Sequence, residues 1–163
     1  MSALFIDSVI LGLGASLIMD GWAVARWRLT GAPMLDYGWL ARWLASVPAG
    51  RVSVSPGQGA PLTALERWIG WTLHYGIGVF YAALFLAITG ESWRLGPDPG
   101  PALVYGAVTS LAPFVILQPA LGRGAFASRT PAPWMARVQT VLTHLVFGAG
   151  LYLTALILTM PGL

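Results

Sequence analysis

The chain has no cysteine and no lysine. Without thiols there is no disulfide framework, no thiolate metal site and no thiol nucleophile. Charge of either sign is scarce. Charged residues make up 9% of the 163, against about 25% in a soluble domain. Several motifs are missing too: Gly-x-Ser-x-Gly, a Walker loop, His-Glu-x-x-His, and a strand-borne Gly-x-Gly-x-x-Gly. The usual sequence grounds for a serine hydrolase, a P-loop enzyme, a zincin or a dinucleotide-binding domain are therefore lacking. Gly12-x-Gly14 falls inside an apolar run and reads as helix packing.

Apolar residues are abundant, at 56%. A chain of this length cannot hide that much apolar surface in a water-facing fold. They gather in four stretches, at 4–25, 68–90, 101–118 and 135–160. A bilayer-spanning helix needs about 20 such residues. The third stretch, Pro101 to Gln118, reaches about 27 Å as a helix and spans with little tilt to spare. The first stretch lacks a positive leader and carries Asp7, so it reads as a retained helix and not a signal peptide.

All nine basic residues are arginine. Arg26, Arg28, Arg42, Arg51, Arg67, Arg123, Arg129 and Arg137 lie in or beside the first and third connections; Arg94 alone lies in the second. With four spans, connections one and three share a side. The positive-inside rule makes that side cytoplasmic and both termini periplasmic. The net charge of +3 and pI near 9.8 are then explained by insertion and by anionic lipid headgroups at the arginine-rich face. Nucleic acid is not an expected partner.

Helix one should end near Arg26-Trp27-Arg28. Within the first connection, Tyr37 to Val47 carries apolar residues at i, i+2, i+3, i+6, i+7 and i+10. That pattern predicts a short amphipathic helix over about 36–47, capped by Asp36 and lying in the headgroup plane. Arg51 to Pro61 reads as loop. Thr63-Ala-Leu-Glu66 is a capping box that starts helix two, which should stop at Gly90-Glu91. Pro101 suits a first helical turn, Pro113 should kink helix three, and Gln118-Pro119 should end it. Pro133 and Trp134 open helix four.

Few ionisable residues fall within the apolar stretches: Asp20, His74 and His144, with Glu66 at an edge. Helices two and four run the same way. His74 lies 11 residues after Thr63 and His144 lies 11 after Pro133, so both should sit at similar depth. Asp20 should lie one to two turns before the cytoplasmic end of helix one, and Gln118 ends helix three on that face. These five residues form one expected polar layer, and ionisable groups inside a membrane are functional candidates by default. Each histidine has a glycine four residues on, Gly78 and Gly148, where a flat ligand or another helix can approach the backbone.

Three readings of this layer are open. The histidines can serve helix contacts while Asp20 pairs near the interface. Asp20, His74 and His144 can bind an ion, a proton or a small polar ligand, with Glu66 and Gln118 at the cytoplasmic entrance; these three are also the only candidate metal ligands. Or His74 and His144 can ligate haem, with loop arginines on its propionates, for electron transfer. Haem is not favoured, because topology already explains the arginines and buried histidines at helix contacts are commoner than haem ligands. Metal is not favoured, because two histidines and one Asp are only three ligands of unfixed geometry.

Five strings together resemble one family: Met19-Asp20-Gly-Trp22, Gly70 to Gly78, Pro113 to Gly122, Ser128-Arg-Thr-Pro131 and His144 to Tyr152. The chain is similar over nearly its whole length to the bacterial membrane proteins grouped as domain of unknown function 2938. The resemblance implies a bacterial inner-membrane protein with four spans. It implies no activity and no catalytic residue.

The resulting expectation is an all-α integral membrane four-helix bundle, one domain over 1–163, with spans at roughly 4–25, 65–90, 101–118 and 135–160. Its expected function is an ion- or small-molecule-binding membrane protein, either transporter or small membrane enzyme. The alternative is an accessory or assembly subunit of a larger membrane complex. Four spans enclose little volume, so a homodimer would suit a transport role.

Overall fold

The computed structural model describes residues 3–160; the expected domain limits, 1 and 163, lie outside them. Five helices follow in order: α1 (Ala3–Thr30), α2 (Gly38–Ser46), α3 (Ala64–Leu95), α4 (Pro99–Ala120) and α5 (Pro133–Thr159). No strand occurs among the described residues. Helices α1, α3, α4 and α5 are each long and apolar enough to cross a bilayer. Much of their outward surface is large and apolar: Leu17, Trp68, Phe80, Ile88 and Val104 are all at least 60% exposed. Such a surface is stable against hydrocarbon and not against water. The chain is a multi-pass membrane protein built as an all-α assembly with an amphipathic helix in its first connection.

The helix ends show how local chemistry acted. α1 runs two residues past Arg28, to Thr30. The capping box forms as expected. The backbone N–H of Thr63 donates to Glu66 Oε2 at 2.7 Å, and the N–H of Glu66 donates to Thr63 Oγ1 at 3.1 Å. Before α2 the Asp36 carboxylate accepts from the Gly38 N–H at 3.0 Å, while Tyr37 takes the N-cap position without a side-chain cap bond. α3 breaks where it was expected to stop. Gly90 has φ 75° and ψ −172°, a conformation open almost only to glycine, and a further turn then runs to Leu95. Pro113 is absorbed by a π-helical turn over Pro113–Leu117. The wider turn makes room for a proline ring that a regular α-turn would exclude.

Contacts divide the chain into two units. The first holds the described residues up to Met34, Tyr75–Thr109 and the described residues from Leu142 on. Its core joins Leu11, Ala15, Ala82, Phe85, Leu86, Trp93, Ala102, Phe147, Leu151 and Ala155, drawn from all four long helices. Small residues set their spacing. A Cβ on Gly12 would strike Val79 Cα, one on Gly148 would strike the Ala102 carbonyl, and one on Gly150 would meet Ala15 Cα at 2.8 Å. These are the close backbone approaches of helices in lipid.

The second unit holds Leu35–His74 and Ser110–Val141. Here α2 is seated on the start of α3. A Cβ on Gly70 would strike the Tyr37 backbone, so only glycine allows the fit. The loop after α2 is tied down by the Val54 N–H, which donates to the Ala120 carbonyl at 2.7 Å. In the third connection, Phe126 and Ala127 both adopt positive φ. Phe126 stacks on Phe114 at 5.0 Å, and Arg137 Nε donates to the Phe126 carbonyl at 2.8 Å.

Glycine contacts generate a paired prediction. Gly148→Ala should destabilise the bundle by about 1–3 kcal/mol, as overpacking of a tight core does. Gly76→Ala, whose Cβ would meet nothing within 4 Å, should be neutral or slightly stabilising. Thermal denaturation of the purified variants in detergent checks this; equal midpoints for the two would contradict the seam.

Candidate functional site

The candidate residues sit in distinct settings. In the first unit, Asp20 lies ten residues from the end of α1 at Thr30, about 15 Å along the helix. That is nearly three turns, deeper than the one to two turns expected, because α1 extends further. Its Oδ2 accepts a hydrogen bond from the Tyr75 hydroxyl at 2.9 Å. Ser8, Gly12, Ser16 and Asp20 recur every four residues, so they form one stripe down α1. Ser16 is fully buried, and its Oγ has no hydrogen-bond partner among the described residues.

His144 lies in the same unit, 11 residues into α5. Its Nδ1 is 2.9 Å from Thr109 Oγ1, and that hydroxyl donates to the Gly106 carbonyl at 2.7 Å. A hydroxyl has one proton. Thr109 spends it on Gly106, so toward His144 it acts as acceptor and Nδ1 must be the donor. A neutral ring then carries its lone pair on Nε2. An imidazole held this way presents Nε2 as a hydrogen-bond acceptor or a ligand atom for a cation.

Three candidates belong to the second unit. His74 is buried and stacks on Tyr37, with centroids 4.0 Å apart and planes 13° apart, while Trp71 meets it edge-on at 5.7 Å. Glu66 receives Arg42 twice, from Nε at 2.6 Å and from Nη2 at 2.7 Å. Arg42 also donates to the Ala60 and Pro61 carbonyls. This clamp joins α2, the loop and the start of α3, and the carboxylate holds the Arg42 guanidinium above its ordinary pKa. Gln118 is buried; its Nε2 donates to Thr140 Oγ1 at 3.0 Å, and its Oε1 has no partner among the described residues.

The glycines four residues beyond each histidine are taken up by helices. Gly78 faces Ser16 and Gly12 of α1, and Gly148 faces Ala102 and Gly106 of α4. Among the described residues, no three His, Asp or Glu side chains are grouped as metal ligands. Sequence reasoning missed Tyr75, Ser16 and Thr109. The four-residue recurrence on α1 was a readable sign of Ser16. Nothing in the sequence pairs Thr109 with His144.

The chain belongs to the family described as a protein of unknown function, DUF2938, which matches residues 9–158. No curated protein and no solved structure matches it.

The hydrogen-bond chain at His144 has a measurable stake. Thr109→Val keeps the side chain's shape but removes the oxygen that receives Nδ1–H. It should cost about 1–3 kcal/mol through the unpaired buried donor, whereas Thr109→Ser should stay near wild type. Denaturation midpoints of the two variants decide the matter.

Proposed function

We propose that this chain is a bacterial inner-membrane protein that binds a cation or a small polar solute within its transmembrane part, as a transporter or small membrane enzyme. Asp20 and His144 are the side chains that meet the ligand. Glu66, Gln118 and His74 belong to the second unit, where Arg42, Thr140 and Tyr37 respectively engage them. The observation that carries this reading is His144: a mid-helix imidazole whose Nδ1 is committed to Thr109, leaving Nε2 as the acceptor. Asp20 adds a carboxylate at a similar distance along its helix from the same side of the membrane. The accessory-subunit alternative relied on glycine faces open to a partner. Gly12, Gly78, Gly106, Gly148 and Gly150 all meet the chain's own helices, which favours an autonomous protein.

The arginine distribution supports an orientation with connections one and three in the cytoplasm and both termini in the periplasm. A reporter active only in the periplasm, fused after Leu163, should then be active. A fusion active only in the cytoplasm would reverse the orientation.

The ligand itself is tested on protein purified from native membranes. Elemental analysis, absorbance and mass spectrometry of the extract should find about one ion or polar solute per chain. Asp20→Asn and His144→Ala, at unchanged membrane abundance, should each lose most of it. If the ligand is a metal, Thr109→Val should weaken it by about 10–100-fold. A Soret band lost in His144→Ala would move the reading to electron transfer. Tight co-purification with larger subunits and no bound ligand would favour the accessory role.

A further inference from the structure

A second polar cluster lies in the first unit, apart from Asp20 and His144. A cavity of about 360 Å³ is lined by Asp7 and Leu11 of α1, by Trp93 and Arg94 of the turn beyond Gly90, and by Leu158 and Thr159 of α5, among others. Its volume falls within the range of about 300–1,000 Å³ common for small-molecule sites.

The chemistry at its rim is unusual. Asp7 is mostly buried, and its Oδ2 has no hydrogen-bond partner among the described residues. Arg94 Nη1 stands 3.4 Å from that oxygen, a charge contact without a hydrogen bond. The other end of the guanidinium is well engaged, with Nη2 donating to Glu91 Oε1 at 2.8 Å. Glu91 is 74% exposed. Two carboxylates therefore share one arginine, so these three described side chains are together net negative. A buried carboxylate oxygen without a donor is costly, and what relieves it is a compact cation that can donate. The walls contributed by Leu11, Leu95, Ala155 and Leu158 suit an apolar tail on that cation.

The break at Gly90 builds the site. It turns the segment carrying Trp93 and Arg94, which is fixed when Trp93 Nε1 donates to the Asp98 carbonyl at 2.9 Å and its ring meets Phe85 edge-on at 4.6 Å. Arg94 is thus a plug with two partners: it can move fully onto exposed Glu91 and leave Asp7 to an incoming donor.

We propose that the Asp7–Arg94 cavity is a binding site for a primary organic ammonium bearing an apolar tail, which displaces Arg94 from Asp7. A phosphatidylethanolamine headgroup and a free alkylamine both present this chemistry.

The test uses the full-length protein and its thermal midpoint. In detergent it is titrated with n-hexylammonium and, as an uncharged control, n-hexanol. In nanodiscs, phosphatidylglycerol alone is compared with mixtures containing phosphatidylethanolamine. A midpoint raised by hexylammonium and not by hexanol supports the site with a diffusible ligand. A rise specific to phosphatidylethanolamine supports the lipid source. Asp7→Asn should lower apparent affinity tenfold or more. Arg94→Gln should raise it several-fold by removing the competitor, and Glu91→Gln should lower it by depriving Arg94 of its second partner. A merely structural ion pair would not give opposite signs in the last two variants. Should Asp7→Asn fail to fold, Leu158→Trp, at a half-exposed position on the cavity wall, should abolish the effect by filling the space. Equal stabilisation by hexanol, no stabilisation in either medium, or wild-type affinity in Asp7→Asn or Leu158→Trp would overturn the proposal.

Discussion

Everything in the first unit depends on how closely its backbones approach. Lipid supplies no hydrophobic force to press one apolar helix against another, so contact area and dispersion must do it. Gly106 and Gly148 bring α4 and α5 together, with each occupying the space the other's Cβ would need. Gly12 does the same for α1 against α3, and Gly150 for α5 against α1. Because the backbones come this close, short side chains can reach across. Thr109 reaches His144 from one helix to the next. With bulkier residues at these seams, the polar contacts would open along with the packing.

The second unit solves a different problem. Its chain leaves the apolar stretches, so polar backbone must be satisfied by side chains and loops. Arg42 is the centre of that solution, holding Glu66 and two loop carbonyls at once. Glu66 in turn caps α3 through Thr63. One carboxylate thus starts a helix and anchors the preceding one. This accounts for an acidic residue at the edge of an apolar stretch without any ligand.

Much of the fold was legible in the sequence because its signals are local. Apolar runs of about 20 residues, the Thr63–Glu66 box, the proline at the start of α5 and the spacing over 37–47 each act within one or two turns. Ends were less legible, since α1 continues through Thr30 and α3 resumes beyond Gly90. At Gly90 the sequence showed that the helix must be interrupted but not that chain beyond it would fold back into a turn. The candidate site was legible only as a list. Depth along a helix follows from counting residues, which brought Asp20, His74 and His144 into view. Which way each side chain points depends on rotation about the helix axis, and that is set by tertiary seams such as Gly148 against Ala102. Tyr75 as partner of Asp20 and Thr109 as partner of His144 came from those seams. Asp7 and Arg94 are 87 residues apart, and no local rule joins them.

The arrangement at Thr109 also constrains how a proton could travel. A histidine relays protons when one ring nitrogen takes a proton as the other releases one. Here Nδ1 releases toward Thr109, whose own hydroxyl proton points at the Gly106 carbonyl. A peptide carbonyl inside a helix has nowhere to pass it. The wire ends there. A proton path through His144 toward α4 is therefore closed, and any exchange at this ring is confined to its Nε2 side.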